Sequence, residues 1–190
     1  RVVREGKVAG VMSAYNSVNG VPCCANSFLL DDLLRKKWGF AGYVVSDCDA
    51  IRDIWGRQQH RYVNTPEAAA AAAVKAGCDL CGGGDYNAMV RAVQQRLITE
   101  KAIDEALYHT LWTRFRLGLF DPADKVPYSK YTLKDNDTPE HGKVALEIAR
   151  QSLVLLKNDG ILPLDRSKFK RIAVIGPNVK STSMLEGNYH

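Results

Sequence analysis

Gly42-Tyr43-Val44-Val45-Ser46-Asp47-Cys48-Asp49 decides how the rest of the chain is read. Its apolar run is too short for a helix and rich in β-branched residues, which predicts a buried strand. The run stops abruptly at a carboxylate, a thiol and a second carboxylate. In a parallel α/β sheet or barrel, the carboxyl ends of the strands are where reacting side chains are placed. An aspartate held there by rigid backbone and aimed into a cleft suits a nucleophile, and Asp47 is the candidate.

Upstream, residues 8–15 predict a first strand ending at Tyr15, because Asn19-Gly20 is a strong turn signal. A helix is expected from Ser27 to Trp38 with Phe28, Leu29, Leu30, Leu33 and Leu34 as its apolar face, stopped by Gly39. Downstream of the Tyr43–Asp47 strand comes a short helix, Ile51 to Trp55. Thr65-Pro66-Glu67 then opens an alanine-rich helix: Thr65 caps, Pro66 sits where a missing N–H is harmless, and Glu67 meets the positive end of the dipole. Gly77 ends it. Cys78-Asp79-Leu80 is a very short strand opening onto Gly82-Gly83-Gly84, and helices follow from Tyr86 to Leu97 and from Ile103 to Arg116.

Strand starts near Gly10, Tyr43 and Cys78 stand 33 and 35 residues apart, with mostly helix between them. This is the period of parallel strands joined by crossover helices. Three units are visible, whereas a closed barrel takes ~250 residues. The chain therefore reads as the C-terminal part of a (β/α)₈ TIM barrel or as a small open sheet, and its start in mid-pattern favours the barrel. Residues 1–117 form that portion. Residues 118–151 are a linker, broken by Asp121-Pro122, Pro127-Tyr128 and Lys134-Asp135-Asn136-Asp137, followed by a helix started by Thr138-Pro139-Glu140. Residues 152–190 open a second, truncated α/β domain: Ser152 to Lys157 is extended, and Arg171 to Pro177 is its first strand.

Composition narrows the function. At 25% charged and 46% hydrophobic residues the 190-residue chain is ordinary for a globular protein. No apolar stretch is long enough to cross a bilayer as a helix. The net charge of +5 is spread thinly and aromatics do not interleave with it, so neither a nucleic acid nor a membrane is expected as partner. The five cysteines, Cys23, Cys24, Cys48, Cys78 and Cys81, include one Cys-x-x-Cys pair, but the four histidines show no paired ligand spacing, so no metal is expected. Gly82-Gly83-Gly84 and Ile172–Pro177 lack the glycine fingerprint of a nucleotide fold, and no cofactor is expected. The triple glycine is read instead as a sharp turn at the barrel rim.

Glycoside hydrolysis uses two carboxyl groups flanking the scissile bond, ~5–5.5 Å apart when one is a nucleophile. Asp49 lies beyond the strand end and is better read as a helix cap than as the second of these. Asp47 itself, on spacing alone, is equally compatible with a cap or a salt bridge.

The residues Ser13-Ala14-Tyr15-Asn16, Asn19-Gly20-Val21-Pro22, Lys37-Trp38-Gly39-Phe40 and Gly42 to Asp47 resemble glycoside hydrolase family 3. Ala76 to Leu80, Ser152 to Asn158, Leu162-Pro163-Leu164, Ile172 to Asn178 and Gly187-Asn188-Tyr189 extend the resemblance in the same order. Ser46-Asp47-Cys48-Asp49-Ala50 is similar to the β-xylosidase branch; β-glucosidases of the family more often carry tryptophan where Cys48 stands.

The resemblance implies a retaining exo-glycosidase that releases β-linked xylose from the non-reducing end of xylo-oligosaccharides. Asp47 matches the nucleophile, Tyr15 a tyrosine that hydrogen-bonds it, and Met12 a residue lining the same subsite. β-Glucosidase or α-L-arabinofuranosidase activity, or a non-hydrolytic sugar-binding relative, are the alternatives. The family's acid/base glutamate is expected beyond His190, and most of its sugar clamp before Arg1, so the 190 residues alone are expected to be inactive. Secretion or periplasmic export is the family expectation. Finally, adjacent parallel strands in register would bring Cys48 and Cys81 within disulfide reach, walling off the space where a hexose carries its hydroxymethyl group. Free buried thiols are the other reading.

Overall fold

The computed structural model describes residues 1–186. Three extended segments lie side by side in sequence order. Strand β1 (Gly10–Ser13) pairs in parallel with β4 (Tyr43–Ser46), Gly10 opposite Tyr43 and Ser13 opposite Ser46. Leu80 joins the other edge of β4 through a parallel bridge to Val45. The β-branched pair Val44-Val45 thus sits centrally, with side chains alternating between two faces. One face, Val44, Ser13 and Ser46, is buried; the other carries exposed Met12 and half-buried Val45. The chain is a mixed α/β structure built on parallel strands.

Between β1 and β4 the chain makes a small antiparallel hairpin, β2 (Ser17–Val18) with β3 (Val21–Pro22). Asn19 and Gly20 both have positive φ (52° and 80°), the requirement of a tight two-residue hairpin turn. The expected Ser27–Trp38 helix is found as a π-helix, Phe28–Lys37, whose closing bond runs from Trp38 N–H to the Leu33 carbonyl at 3.0 Å. Leu30 and Leu34 are its buried face. Phe28, expected on that face, is exposed at the first position of the helix.

Helix α1 (Ala50–Trp55) buries Ile51 and Ile54 completely. Helix α2 (Pro66–Ala76) starts as its sequence dictates: the Thr65 hydroxyl accepts the Ala68 N–H at 3.1 Å. It ends at Gly77 in the left-handed region (φ 102°). Ala69, Ala70 and Ala73 are fully buried; their small side chains let the helix approach its neighbours closely. The expected Tyr86–Leu97 helix divides into a 3₁₀ turn, Asp85–Ala88, and helix α3, Met89–Gln94. Helix α4 (Glu100–Arg116) begins earlier than Ile103 because Thr99 caps it through Ala102 N–H at 3.3 Å.

The chain divides into two compact units, Arg1–Lys130 and Tyr131–His190. In the second, helix α5 (Pro139–Ser152) opens with a reciprocal cap between Thr138 and His141. Residues 171–177, expected as a strand, are not one: among the described residues no strand lies beside them to take their N–H and C=O groups, and Ile175 is 90% exposed. The Gly187-Asn188-Tyr189 part of the resemblance lies outside the described residues. Among the described residues no helix is long and apolar enough to cross a membrane.

Candidate active site

Asp47 follows β4 directly, and its N–H continues the ladder to the Ser13 carbonyl at 2.9 Å. Two residues beyond Val45, it has the parity of the strand face that the helices leave open. The side chain is half-buried. Its Oδ1 accepts the Cys48 N–H at 2.7 Å, while Oδ2 has no hydrogen bond among the described residues. One oxygen is therefore held and the other is available, the arrangement a carboxylate nucleophile needs.

The next residues turn sharply. Asp49 adopts left-handed φ (62°) at the head of α1, but its side chain makes no capping bond; it pairs with Arg52 Nη2 at 3.3 Å instead. The cap expected from the sequence is corrected on this point. With φ positive at the capping position, the carboxylate is carried away from the first-turn N–H groups.

Tyr15, Asp47 and Cys48 are brought together, although not as expected. The Tyr15 hydroxyl donates to the Cys48 carbonyl. Its single proton is thereby given to the peptide next to Asp47 and not to the Asp47 carboxylate. His60 supports the same residue from behind: its Nε2 donates to the Tyr15 carbonyl at 2.7 Å, which assigns the ring proton to that nitrogen. Met12 lies opposite Val45 on the open face and is 60% exposed.

The Cys48–Cys81 bridge is absent: all five cysteines are free thiols. The register explains this. With Val45 opposite Leu80, Cys81 falls beside Ser46, and it is Gly82 that faces the Asp47–Cys48 peptide. The Cys81 sulfur accepts the Gly83 N–H at 3.3 Å, and Cys48 is exposed. Beneath the site lie two buried thiols, Cys24 and Cys78. The Cys24 thiol donates to the Ser13 and Ala14 carbonyls and the Cys78 thiol to the Leu80 carbonyl. The neighbouring Cys78 lowers the pKa of Cys24 against the opposing effect of burial, and Cys24 together with burial raises that of Cys78. Among the described residues no three His, Cys, Asp or Glu side chains converge as a metal-binding group.

Sequence reasoning gave no role to Asp79. Its side chain is only 3% exposed, and its two oxygens take three donors: Arg35 Nη2 at 2.5 Å, Val44 N–H at 2.7 Å and His109 Nδ1 at 2.8 Å. Arg35 also donates to the Gly42 carbonyl at 2.9 Å and lies over the Phe40 ring. One buried carboxylate thus ties the π-helix and α4 to the entry of β4. A charged residue between Cys78 and Leu80 in an otherwise apolar segment is the signal that could have found it, since a buried charge demands partners.

The site is thus a single aspartate at the end of a central parallel strand, backed by a tyrosine and a buried ionic network. Residues 1–112 match the glycosyl hydrolase family 3 N terminal domain, and the chain belongs to that family. It is 47% identical to beta-D-xylosidase 1 of Arabidopsis thaliana over 98% of its own length and 24% of that protein's. It is 46% identical to beta-xylosidase/alpha-L-arabinofuranosidase 2 of Medicago sativa subsp. varia, again over 98% of this chain and 24% of the relative. A solved GH3 exo-beta-xylosidase (XlnD), in complex with a xylobiose aziridine activity based probe, superposes with a TM-score of 0.77 at 36% identity. That match covers 86% of this chain and 21% of the other. The chain spans about a quarter of the length of these curated relatives.

Proposed function

We propose that this chain supplies the nucleophile of a retaining exo-β-xylosidase, and that it is the closing part of a (β/α)₈ barrel within a longer protein. The observation that carries the reading is Asp47: a half-buried carboxylate at the carboxyl end of a parallel strand, with Oδ1 tied to Cys48 N–H and Oδ2 unengaged among the described residues. Parallel neighbours in sequence order, β1, β4 and then Leu80, fit the barrel.

In the first step Asp47 Oδ2 attacks the anomeric carbon of the terminal xylose while the glycosidic C–O bond breaks. The leaving oxygen takes a proton from a general acid outside residues 1–190. The electron pair of the broken bond stays with that oxygen, and the sugar is left as an ester on Asp47. In the second step water attacks the same carbon, gives its proton to the conjugate base of that acid, and returns Asp47 as carboxylate. Met12 and Cys48 line the sugar's surroundings in this reading. Tyr15 holds the carbonyl of Cys48, the residue whose N–H binds Asp47 Oδ1.

The isolated 190 residues, lacking the acid, hydrolyse aryl β-xyloside at no useful rate. A purified fragment with turnover that Asp47→Asn abolishes would overturn that statement. The main test is a mechanism-based 2-fluoro-xyloside applied to the full-length protein, followed by peptide mapping. The adduct is expected on Asp47, and an adduct on another residue would displace it as nucleophile. A second activity on α-L-arabinofuranosides is favoured by one observation, the name of the 46% identical Medicago relative.

A further inference from the structure

We infer that Gly82 is a positioning residue for Asp47, a backstop against which the Asp47–Cys48 peptide is seated. The inference rests on the reading of Asp47 as nucleophile, but its geometry stands apart from that reading. Gly82 follows the Leu80 bridge, and its N–H donates to the buried Ser46 hydroxyl at 2.9 Å. This bond draws the loop onto the last residue of β4. A Cβ on Gly82 would stand 2.5 Å from the Ser46 carbonyl oxygen and 3.2 Å from both Asp47 C and Cys48 N. The backbone at Gly82 does not have positive φ, so no turn conformation demands glycine there. What demands it is the closeness of the nucleophile's own peptide. The sharp turn expected of the triple glycine is therefore not the reason for its middle-loop packing.

The two flanking peptides are held as well: the Tyr15 hydroxyl donates to the Cys48 carbonyl on one side, and the Asp47 N–H donates to the Ser13 carbonyl on the other. Gly83 continues the contact: its Cβ would fall 2.8 Å from Asp49 Oδ1. Gly84 does not, since a Cβ there meets only Asn87 Nδ2 at 3.5 Å. Because Oδ1 of Asp47 accepts the Cys48 N–H at 2.7 Å, moving that peptide moves the carboxylate. A closely packed interior relieves such a clash by shifting backbone. Displacing a reacting atom by a fraction of an ångström already costs rate.

The test compares Gly82→Ala, Gly84→Ala and Ser46→Ala with wild type in the full-length protein. Crystal structures are expected to show the Asp47–Cys48 peptide displaced by about 0.5 Å in Gly82→Ala and unmoved in Gly84→Ala. The rate of covalent labelling by the 2-fluoro-xyloside is expected to fall by about tenfold or more in Gly82→Ala, with KM for aryl β-xyloside within about twofold of wild type. Ser46→Ala, which adds no atoms and releases the Gly82 N–H, is expected to slow labelling in the same sense should Gly82→Ala fail to fold. Superposition of the Gly82→Ala peptide on wild type, equal labelling rates, or equal losses in Gly84→Ala would overturn the inference. A wild-type protein labelled elsewhere than Asp47 would overturn the proposed function, while the displacement in the crystal still decides the backstop.

Discussion

The Asp79 carboxylate accepts the backbone N–H of Val44 at 2.7 Å, so a side chain takes a place in the ladder at the entry of the strand that delivers Asp47. The adjoining bonds are backbone ones: Asp79 N–H and Leu80 N–H both reach the Val44 carbonyl, at 2.8 and 3.0 Å. Strand alignment and charge burial meet at one residue, and several consequences follow from the surrounding geometry.

Asp79→Ala leaves the Arg35 guanidinium, only 14% exposed, without its carboxylate, and the Val44 N–H without an acceptor. Removing one partner of a buried pair costs about 3–5 kcal/mol. Chemical denaturation of the full-length protein is expected to show a loss of that order for the unit containing Asp79. An effect below about 1 kcal/mol, the range of an exposed pair, would show that the network is not closed in solution.

Tyr15→Phe keeps the ring but deletes the bond to the Cys48 carbonyl. Because that carbonyl is part of Cys48, the residue whose N–H holds Asp47 Oδ1, kcat on aryl β-xyloside is expected to fall by about tenfold or more, with a loss of stability of about 1 kcal/mol. An unchanged kcat would remove Tyr15 from the positioning of the nucleophile.

Tyr86 donates its hydroxyl to the Cys78 carbonyl at 2.5 Å, and burial is the largest cause holding its pKa well above the ordinary 10.0. The sign follows directly. The unfolded phenol ionises near its ordinary value while the folded one stays protonated, so the stabilisation is full below that pH and is lost as pH rises above it. Thermal unfolding followed from pH 9 to 11 should show a falling midpoint, and Tyr86→Phe should flatten the fall. Equal slopes in the two proteins would show that other groups set the alkaline limit.

Cysteine accessibility separates the five thiols. Cys48 is exposed, whereas Cys24 and Cys78 are buried, and the neighbouring Cys24 and burial raise the pKa of Cys78. Because the thiolate is the reactive form, a thiol reagent at pH 8 should modify Cys48 first and leave Cys24 and Cys78 untouched until denaturant is added. Protection of Cys48 by xylose would support its place beside the sugar. Modification of Cys78 in the native protein would show that the core opens at that point.

Local chemistry written in short stretches was readable without coordinates. Thr65-Pro66-Glu67 caps a helix, Asn19-Gly20 makes a tight turn and Gly77 stops a helix, because each depends on its own backbone dihedrals and immediate neighbours. The β-branched run before Asp47 likewise specified a strand and marked its end. Residues 171–177 carry the same kind of signal, yet no strand forms there, since a strand also needs a partner beside it.

What the amino-acid order determined by itself was which residues could be strand, cap or nucleophile, and Asp47 at the end of Val44-Val45-Ser46 was legible on those terms. Only the tertiary structure decided who touches whom. Leu80 bridging Val45 sets Gly82, not Cys81, against the nucleophile's peptide and gathers Arg35, Val44 and His109 around Asp79, while the pairing of β1 with β4 brings the Tyr15 hydroxyl to the Cys48 carbonyl. The physical reason is register: a strand's offset against its neighbour is a property of the pair, and a shift of one residue exchanges every facing side chain.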